Sequence, residues 1–321
     1  MDFLSLINQR KGEVMIKQLE VKVPASTANL GPGFDSIGMA FELYLTLRIS
    51  EAQQTRISYA GLGSDEVPLN EDNLIYKTMA CLYERVGQRM PPLLMEVENN
   101  IPLTRGLGSS ASAIVAGLTA ANKLLADPFS TQELYRMATE MEGHPDNVGA
   151  SFFGNIVVAA WDGENVEHLC VRPPEALRVI AIIPEFTLST DKARKALPDR
   201  YAGKDVVFNI SRSALLVASL VTGDLEKLTT ALKDRIHQPY RTAFIPGMQE
   251  IIADITNQGA YGAVLSGAGP TLLALCHRDR VSSIKPYLQD FFSRQPYSFE
   301  LRELNIDHRG VTVNMFDQAR V

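Results

Sequence analysis

Pro102-Leu103-Thr104-Arg105-Gly106-Leu107-Gly108-Ser109-Ser110-Ala111-Ser112 is the stretch on which the fold turns, because it sets two glycines immediately before a long apolar run, 111–125. Gly106 and Gly108 permit positive φ and leave the backbone bare. Successive amide N–H groups can then point into one concavity that takes an anion. A helix beginning near Ser109 adds free N–H groups and the positive end of its dipole. The hydroxyls of Ser109, Ser110 and Ser112 offer oxygens to a phosphate or to a hard divalent cation. The whole reads as a phosphate cradle. It is not a Walker loop, because no Gly-Lys-Ser/Thr follows the glycines, and it is not GxGxxG. Taken alone, it reads as readily as an ordinary strand-to-helix turn with serine caps.

Upstream of the loop, the pattern predicts a strand over 17–23 that ends at Pro24. A turn with Asn29, Gly31 and Gly33 follows, and then a half-buried strand over 41–49, where every second residue is apolar. Helical spacing runs over 73–86 and stops at Gly87, and 93–97 reads as a strand. Downstream, 131–142 reads as a helix broken by Gly143 and Pro145. Beyond it, 179–183, 263–265 and 272–276 read as short strands, while 214–221, 225–232, 248–256 and 281–292 read as helices. Strands and helices mix without a regular βαβ cadence, so the fold class is α+β. Pro173-Pro174 interrupts both periods and places a boundary between 15–172 and 173–321. Residues 1–14 are expected to be an extension outside the fold. There is no internal repeat.

The bulk numbers fit an ordinary globular protein. The 321 residues are 45% hydrophobic and 21% charged, with a net charge of −6, enough apolar content for two packed cores. No basic stripe recommends a nucleic-acid partner. No apolar run approaches the length of a membrane span. Cys81, Cys170 and Cys276 have neither metal nor disulfide spacing, which suits a cytoplasmic protein with isolated thiols.

Four other stretches are more polar than a core requires. Residues 24–35 gather Ser26, Thr27, Asn29 and Asp35 on one tight loop. Residues 140–147 put Glu140 and Glu142 at a helix end, with His144, Asp146 and Asn147 in the next turn. Residues 189–194 end in Arg194. Residues 266–271 form a second glycine loop edged by Ser266 and Thr271. Each also has a structural reading: Asn29 as a left-handed turn residue, Asp35 as a helix cap, the glutamates as solvated carboxylates. A zinc role for His144 lacks a second histidine at helical spacing. No Gly-x-Ser-x-Gly elbow suggests a serine hydrolase.

Taken in order, the motifs at 24–35, 102–112 and 266–271, joined by Glu142-Gly-His-Pro-Asp-Asn147, Ser189-Thr-Asp-Lys-Ala-Arg194 and Gln238-Pro-Tyr-Arg241, make the chain resemble the homoserine kinases of the GHMP kinase superfamily. The resemblance implies a ribosomal-S5-domain-2-like N-terminal domain that binds ATP and a ferredoxin-like C-terminal domain. It implies transfer of the ATP γ-phosphate to the side-chain hydroxyl of L-homoserine, with Mg²⁺, in threonine biosynthesis. The triphosphate would lie on the loop running from Pro102 through Ser112, and Asn73 would sit near adenine and ribose. Ser110 and Glu142 would hold the metal, with Glu140 as second choice. Arg194 and Arg241 suit the carboxylate of homoserine and Asp35 its ammonium. Asn29, His144 and Asn147 would fix the rest, and Asp146 is either a base or a loop-fixing residue. A homodimer is a family expectation. The rival readings are a mevalonate or phosphomevalonate kinase, and a non-catalytic kinase-like metabolite sensor.

Overall fold

The computed structural model describes residues 16–317, so the extension expected over 1–14 lies outside the described residues. The chain opens with β1 (Ile16–Asn29), β2 (Gly33–Glu51) and β3 (Arg56–Gly61), then α1 (Leu74–Arg85) and β4 (Leu93–Asn99). Three helices follow: α2 (Ser109–Leu124), α3 (Thr131–Glu142) and α4 (Asp146–Phe153). The hairpin of β5 (Ile156–Trp161) and β6 (Val166–Val171) completes the first half. These strands form one sheet in the order β1-β2-β4-β3, with β5 joined to the early part of β2. Leu19, Val21 and Val23 of β1 and Leu45, Leu47 and Ile49 of β2 put alternate side chains into the core, as a half-buried sheet requires. Helix α2 is buried from Ala111 to Asn122. Its small residues allow this: a Cβ on Gly117 would lie 2.9 Å from the Ile75 carbonyl oxygen of α1.

The second sheet contains β7 (Leu177–Pro184), β8 (Gly262–Leu265), β9 (Leu272–His277) and β10 (Phe299–Leu304). Between β7 and β8 run α5 (Thr190–Lys195), α6 (Gly203–Thr222), α7 (Leu228–Ala231), α8 (Gln238–Arg241) and α9 (Met248–Asp254). Helix α10 (Val281–Ser293) joins β9 to β10. All pairings are antiparallel, in the order β10-β7-β9-β8. Counted within this sheet the order is fourth, first, third, second, the ferredoxin-like arrangement expected. Val179, Ala181 and Ile183 face the core shared with the first sheet, whereas Ile180 and Ile182 face a second core with α9 and α10.

Several elements differ from the sequence reading. Strand β1 does not end at Pro24 but continues to Asn29, because a register irregularity between Pro24 and Ala25 absorbs the proline. Strand β2 starts at Gly33 rather than at 41. Pro145 precedes a further helix, α4. Helix α6 is 20 residues long and by length and composition alone could cross a membrane, although Lys204, Asp205 and Arg212 interrupt its apolar run. It packs Leu216 and Leu220 into the shared core and pairs Asp205 with Arg235. Pro173-Pro174 does fall between β6 and β7. However, β11 (Thr312–Asp317) returns to pair antiparallel with β1, so the last strand belongs to the first sheet.

Candidate active site

The glycine loop leads from β4 into α2, and two other loops press against it. Gly106 and Gly108 have φ of 74° and 71°. A Cβ on Gly106 would lie 2.1 Å from the Ser266 carbonyl oxygen, and one on Gly108 would lie 2.0 Å from Ser26 Oγ. The contacts are polar and specific. Ser266 Oγ donates to the Gly106 carbonyl at 2.6 Å, and the Ser26 amide donates to Leu107 at 3.1 Å. Asn29 Nδ2 donates to the Gly267 carbonyl at 3.0 Å. The three motifs, more than 230 positions apart at their extremes (|i−j| of 238 for Asn29 and Gly267), therefore form one floor.

Above this floor lies a cleft of about 300 Å³. Pro102, Leu103, Thr104, Arg105, Gly106, Leu107, Gly108, Ser109 and Ser110 all line it. Ala111 and Ser112, expected among the nucleotide contacts, do not. Ala111 is buried in the core, and Ser112 Oγ donates to Pro24 at 3.0 Å and to Gly108 at 2.9 Å, holding the loop from behind. Asn73 lines the cleft while capping α1, with Oδ1 accepting from the Ile75 amide at 3.0 Å. Beside it Leu45, Tyr59 and Val67 form an apolar wall that sequence reasoning missed. The six-residue strand that carries Tyr59 has no clean alternation to reveal it.

Ser110 Oγ lies 2.9 Å from Glu142 Oε2. Burial raises the pKa of Glu142, while His144 and the Ser110 hydroxyl partly offset that rise. Glu140 is turned away from the cleft and pairs with Arg136 at 2.5 Å and Arg85 at 3.7 Å. Past the helix end, Asp146 Oδ1 accepts from His144 Nδ1 and from the Asn147 amide, both at 2.7 Å. Asp146 is fully buried, and its Oδ2 has no hydrogen-bond partner among the described residues. Burial works against a charge on His144, but the hydrogen bond and charge of Asp146, with Glu142 and Asp35, outweigh it and raise the pKa to about 8. Asn147 Oδ1 accepts from Ser26 Oγ at 3.1 Å. Donor atoms of Asp35, His144 and Asp146 lie within 4.8 Å of one another. With His144 Nδ1 already bound to Asp146, the group suits an imidazolium between carboxylates better than a metal.

At the other end, Arg194 of α5 grips Asp35 with both terminal nitrogens, at 3.0 and 2.8 Å. The sequence reading assigned the two residues to opposite ends of a substrate; here they face each other. Asn29 Oδ1 accepts from the Asp35 amide at 3.0 Å, which fixes the turn. Arg241 of α8 is only 2% exposed and lines the same cleft. Its Nε donates to Ala193 at 3.3 Å, and its Nη1 to Gly267 at 3.1 Å and to His237 Nδ1 at 3.1 Å. Burial and the neighbouring Arg194 lower its pKa to about 10, against Asp35 and Asp234. Both guanidinium carbons lie 5.6 Å from the centre of the Phe34 ring, another residue the sequence reading passed over.

The cleft joins an anion cradle, a hydroxyl–carboxylate pair and a zwitterion-shaped set of charges. Comparisons with known proteins point the same way. The family described as GHMP kinases N terminal domain matches residues 73–155, and GHMP kinases C terminal matches residues 216–294. The chain is 44% identical to a homoserine kinase of Synechococcus sp., over 92% of this chain and 98% of that one. It is 42% identical to a homoserine kinase of Moorella thermoacetica, over 91% and 99%. The crystal structure of a homoserine kinase from Cytophaga hutchinsonii is 25% identical and matches 95% of this chain with a TM-score of 0.84. Similarity of that extent, over more than nine-tenths of the chain, means that the chain belongs to the homoserine kinases of the GHMP kinase family.

Proposed function

We propose that this enzyme transfers the γ-phosphate of ATP to the side-chain hydroxyl of L-homoserine, giving O-phospho-L-homoserine. The observation that carries the reading is one cleft with a phosphate loop at one end and Asp35, Arg194 and Arg241 at the other. Phosphoryl transfer is mainly positioning and charge neutralisation. The bare backbone from Gly106 to Ser110 holds the triphosphate, and Asn73, Leu45 and Tyr59 flank the adenosine. Mg²⁺ suits Ser110 and Glu142, two hard oxygen donors 2.9 Å apart, the second held at raised pKa by burial. Bound there, the metal would neutralise phosphate charge.

The ammonium of homoserine lies at Asp35 and its carboxylate at Arg194 and Arg241, so the zwitterion takes the place of the resting Asp35–Arg194 pair. His144 at neutral pH is largely an imidazolium, which makes it a cation beside the transferring group rather than a waiting base. Asp146 Oδ1 is engaged by His144 and Asn147, which fits the loop-fixing role. The hydroxyl proton passes to the phosphoryl group. A homodimer and a cytoplasmic setting belong to the same reading. Helix α6 exposes Val207, Ile210 and Val221 along one side, and the three cysteines are unpaired.

The test is ADP release by purified protein with Mg·ATP and a panel of acceptors. Turnover with L-homoserine well above that with mevalonate or phosphomevalonate is expected. Preference for another acceptor, or turnover independent of acceptor, sinks the assignment; no turnover with any acceptor leaves the sensor reading. Light scattering on the same preparation reads the dimer.

A further inference from the structure

His237 is fully buried, and the mechanism above makes no use of it. It sits one turn before Arg241, at the start of α8, and both of its ring nitrogens are engaged. Nε2 lies 2.7 Å from the Gly31 carbonyl oxygen, and Nδ1 lies 3.1 Å from Arg241 Nη1. A carbonyl can only accept and a guanidinium can only donate. The hydrogen must therefore be on Nε2, and Nδ1 must be bare. A proton on Nδ1 would face the Arg241 cation, and burial lowers the pKa of the ring accordingly.

The two partners belong to different parts of the site. Gly31, with φ of 82°, sits in the turn between Asn29 and Asp35, and that turn is packed so closely that a Cβ on Gly31 would lie 2.4 Å from the Leu232 carbonyl oxygen. Arg241 belongs to the arginine end. The ring itself stacks on Phe34, with centroids 5.2 Å apart. Its backbone is held as firmly. The Asp234 carboxylate accepts from the amides of Ile236, His237 and Gln238 at 2.9, 3.0 and 2.7 Å, and from Asn209 Nδ2 at 2.8 Å. The ring is thus fixed in place by its neighbours, and only its two nitrogens reach outward.

The consequence falls on Arg241. His237 and Gly267 occupy Nη1, Ala193 occupies Nε, and among the described residues no hydrogen bond engages Nη2. We propose that His237 is a positioning residue: as the neutral Nε2–H tautomer it ties the Asn29–Asp35 turn to the Arg241 guanidinium, and so aims Nη2 at the substrate carboxylate. This inference rests on the reading that Arg241 takes that carboxylate. It goes beyond that reading by making the aim of the arginine depend on a residue that never touches the substrate.

Two variants separate the two ends of the ring. The amide of Gln reaches about as far as Nε2 and that of Asn about as far as Nδ1. His237→Gln keeps a donor for Gly31 and loses the acceptor for Arg241. It should raise the KM for homoserine about tenfold, the effect of losing one hydrogen bond to a charged group, and leave the KM for ATP unchanged. His237→Asn keeps an acceptor near Arg241 and should raise it less. In an Arg241→Ala background, His237→Gln should add nothing further. Full multiplication of the two effects, equal rises in both KM values, or a wild-type homoserine KM in His237→Gln would each overturn the positioning role. Nitrogen NMR of the wild-type histidines needs neither a variant nor turnover. It should show His237 as the Nε2–H tautomer at neutral pH; the Nδ1–H tautomer would overturn the proposal even if every variant misfolded. Failure of the wild type to use homoserine would strike the functional reading instead and leave the tautomer result standing.

Discussion

His144 shows how much a single pair decides at the residue scale. Imidazole in water titrates near 6.5, but here Asp146, 2.7 Å away and fully buried, helps to raise it to about 8 despite burial. The folded state therefore holds this proton more tightly than the unfolded chain does. The resulting stabilisation is complete below about pH 6.5 and is lost as pH rises through about 8. A shift of that order corresponds to about 2 kcal/mol. Urea unfolding of the wild type should therefore lose roughly that much stability between pH 6 and pH 9 relative to His144→Gln, in which this titration is absent. Parallel pH curves for the two proteins would show that His144 is not held as an imidazolium. In the same geometry Asp146 Oδ1 anchors both His144 and the Asn147 amide, each at 2.7 Å.

The glycine loop and the helix it starts are a matter of elements, since close approach and handedness act together there. Gly108 caps α2 with left-handed φ, and its missing side chain is where Ser26 Oγ sits. Gly143 ends α3 with φ of 84° but has nothing within 4 Å of a Cβ position. Alanine at either site incurs about 1 kcal/mol for the left-handed backbone. At Gly108 it must also displace Ser26, which is bonded to Asn147, and that overpacking adds about 1–3 kcal/mol. Gly108→Ala should lower the unfolding free energy by about 3 kcal/mol and raise the KM for ATP. Gly143→Ala should cost about 1 kcal/mol. Equal losses in thermal or urea unfolding would mean that backbone handedness alone, and not loop-to-loop packing, makes Gly108 necessary.

At the scale of the whole molecule, the two sheets are not independent bodies. One hydrophobic core takes Leu19, Leu47 and Val115 from the first half and Val179, Leu216, Leu273 and Leu304 from the second. Strand β11 closes the outer edge of β1, and Arg105 reaches from the glycine loop to the carbonyls of Pro184 and Glu185 at the end of β7. The division at 172/173 thus stays a proposal, and it does not separate the two ligands, because Asp35 and His144 from the first part line the same cleft as Arg194 and Arg241 from the second. As a folding boundary it cuts through shared apolar surface and leaves a sheet edge open. A fragment ending at Arg172 should show no cooperative unfolding, while the full chain should unfold in one transition by near- and far-ultraviolet circular dichroism. A fragment that unfolds cooperatively with native-like near-ultraviolet signal would disprove the shared-core argument.

Sequence alone determined what is local. Helix α3 could be read residue for residue, because the apolar spacing lies within its own 12 residues and Gly143 follows directly after them. The glycines, the α+β class and most members of the cleft followed from residue type and motif order. Strands such as β6, β10 and β11 were not legible, because mixed burial leaves no period to read in the first two and the last depends on a partner almost 300 positions away. Only the tertiary structure puts Glu142, and not Glu140, beside Ser110. Two residues apart on a helix is roughly 200°, so the carboxylates lie on opposite faces, and only the position of Ser110 selects one of them. The same holds for the ion pair between Asp35 and Arg194 and for the link between Gly31 and His237, separated by 159 and 206 positions. A residue's chemistry is written in its side chain, but its partner is set by how the chain returns, and no local pattern records that.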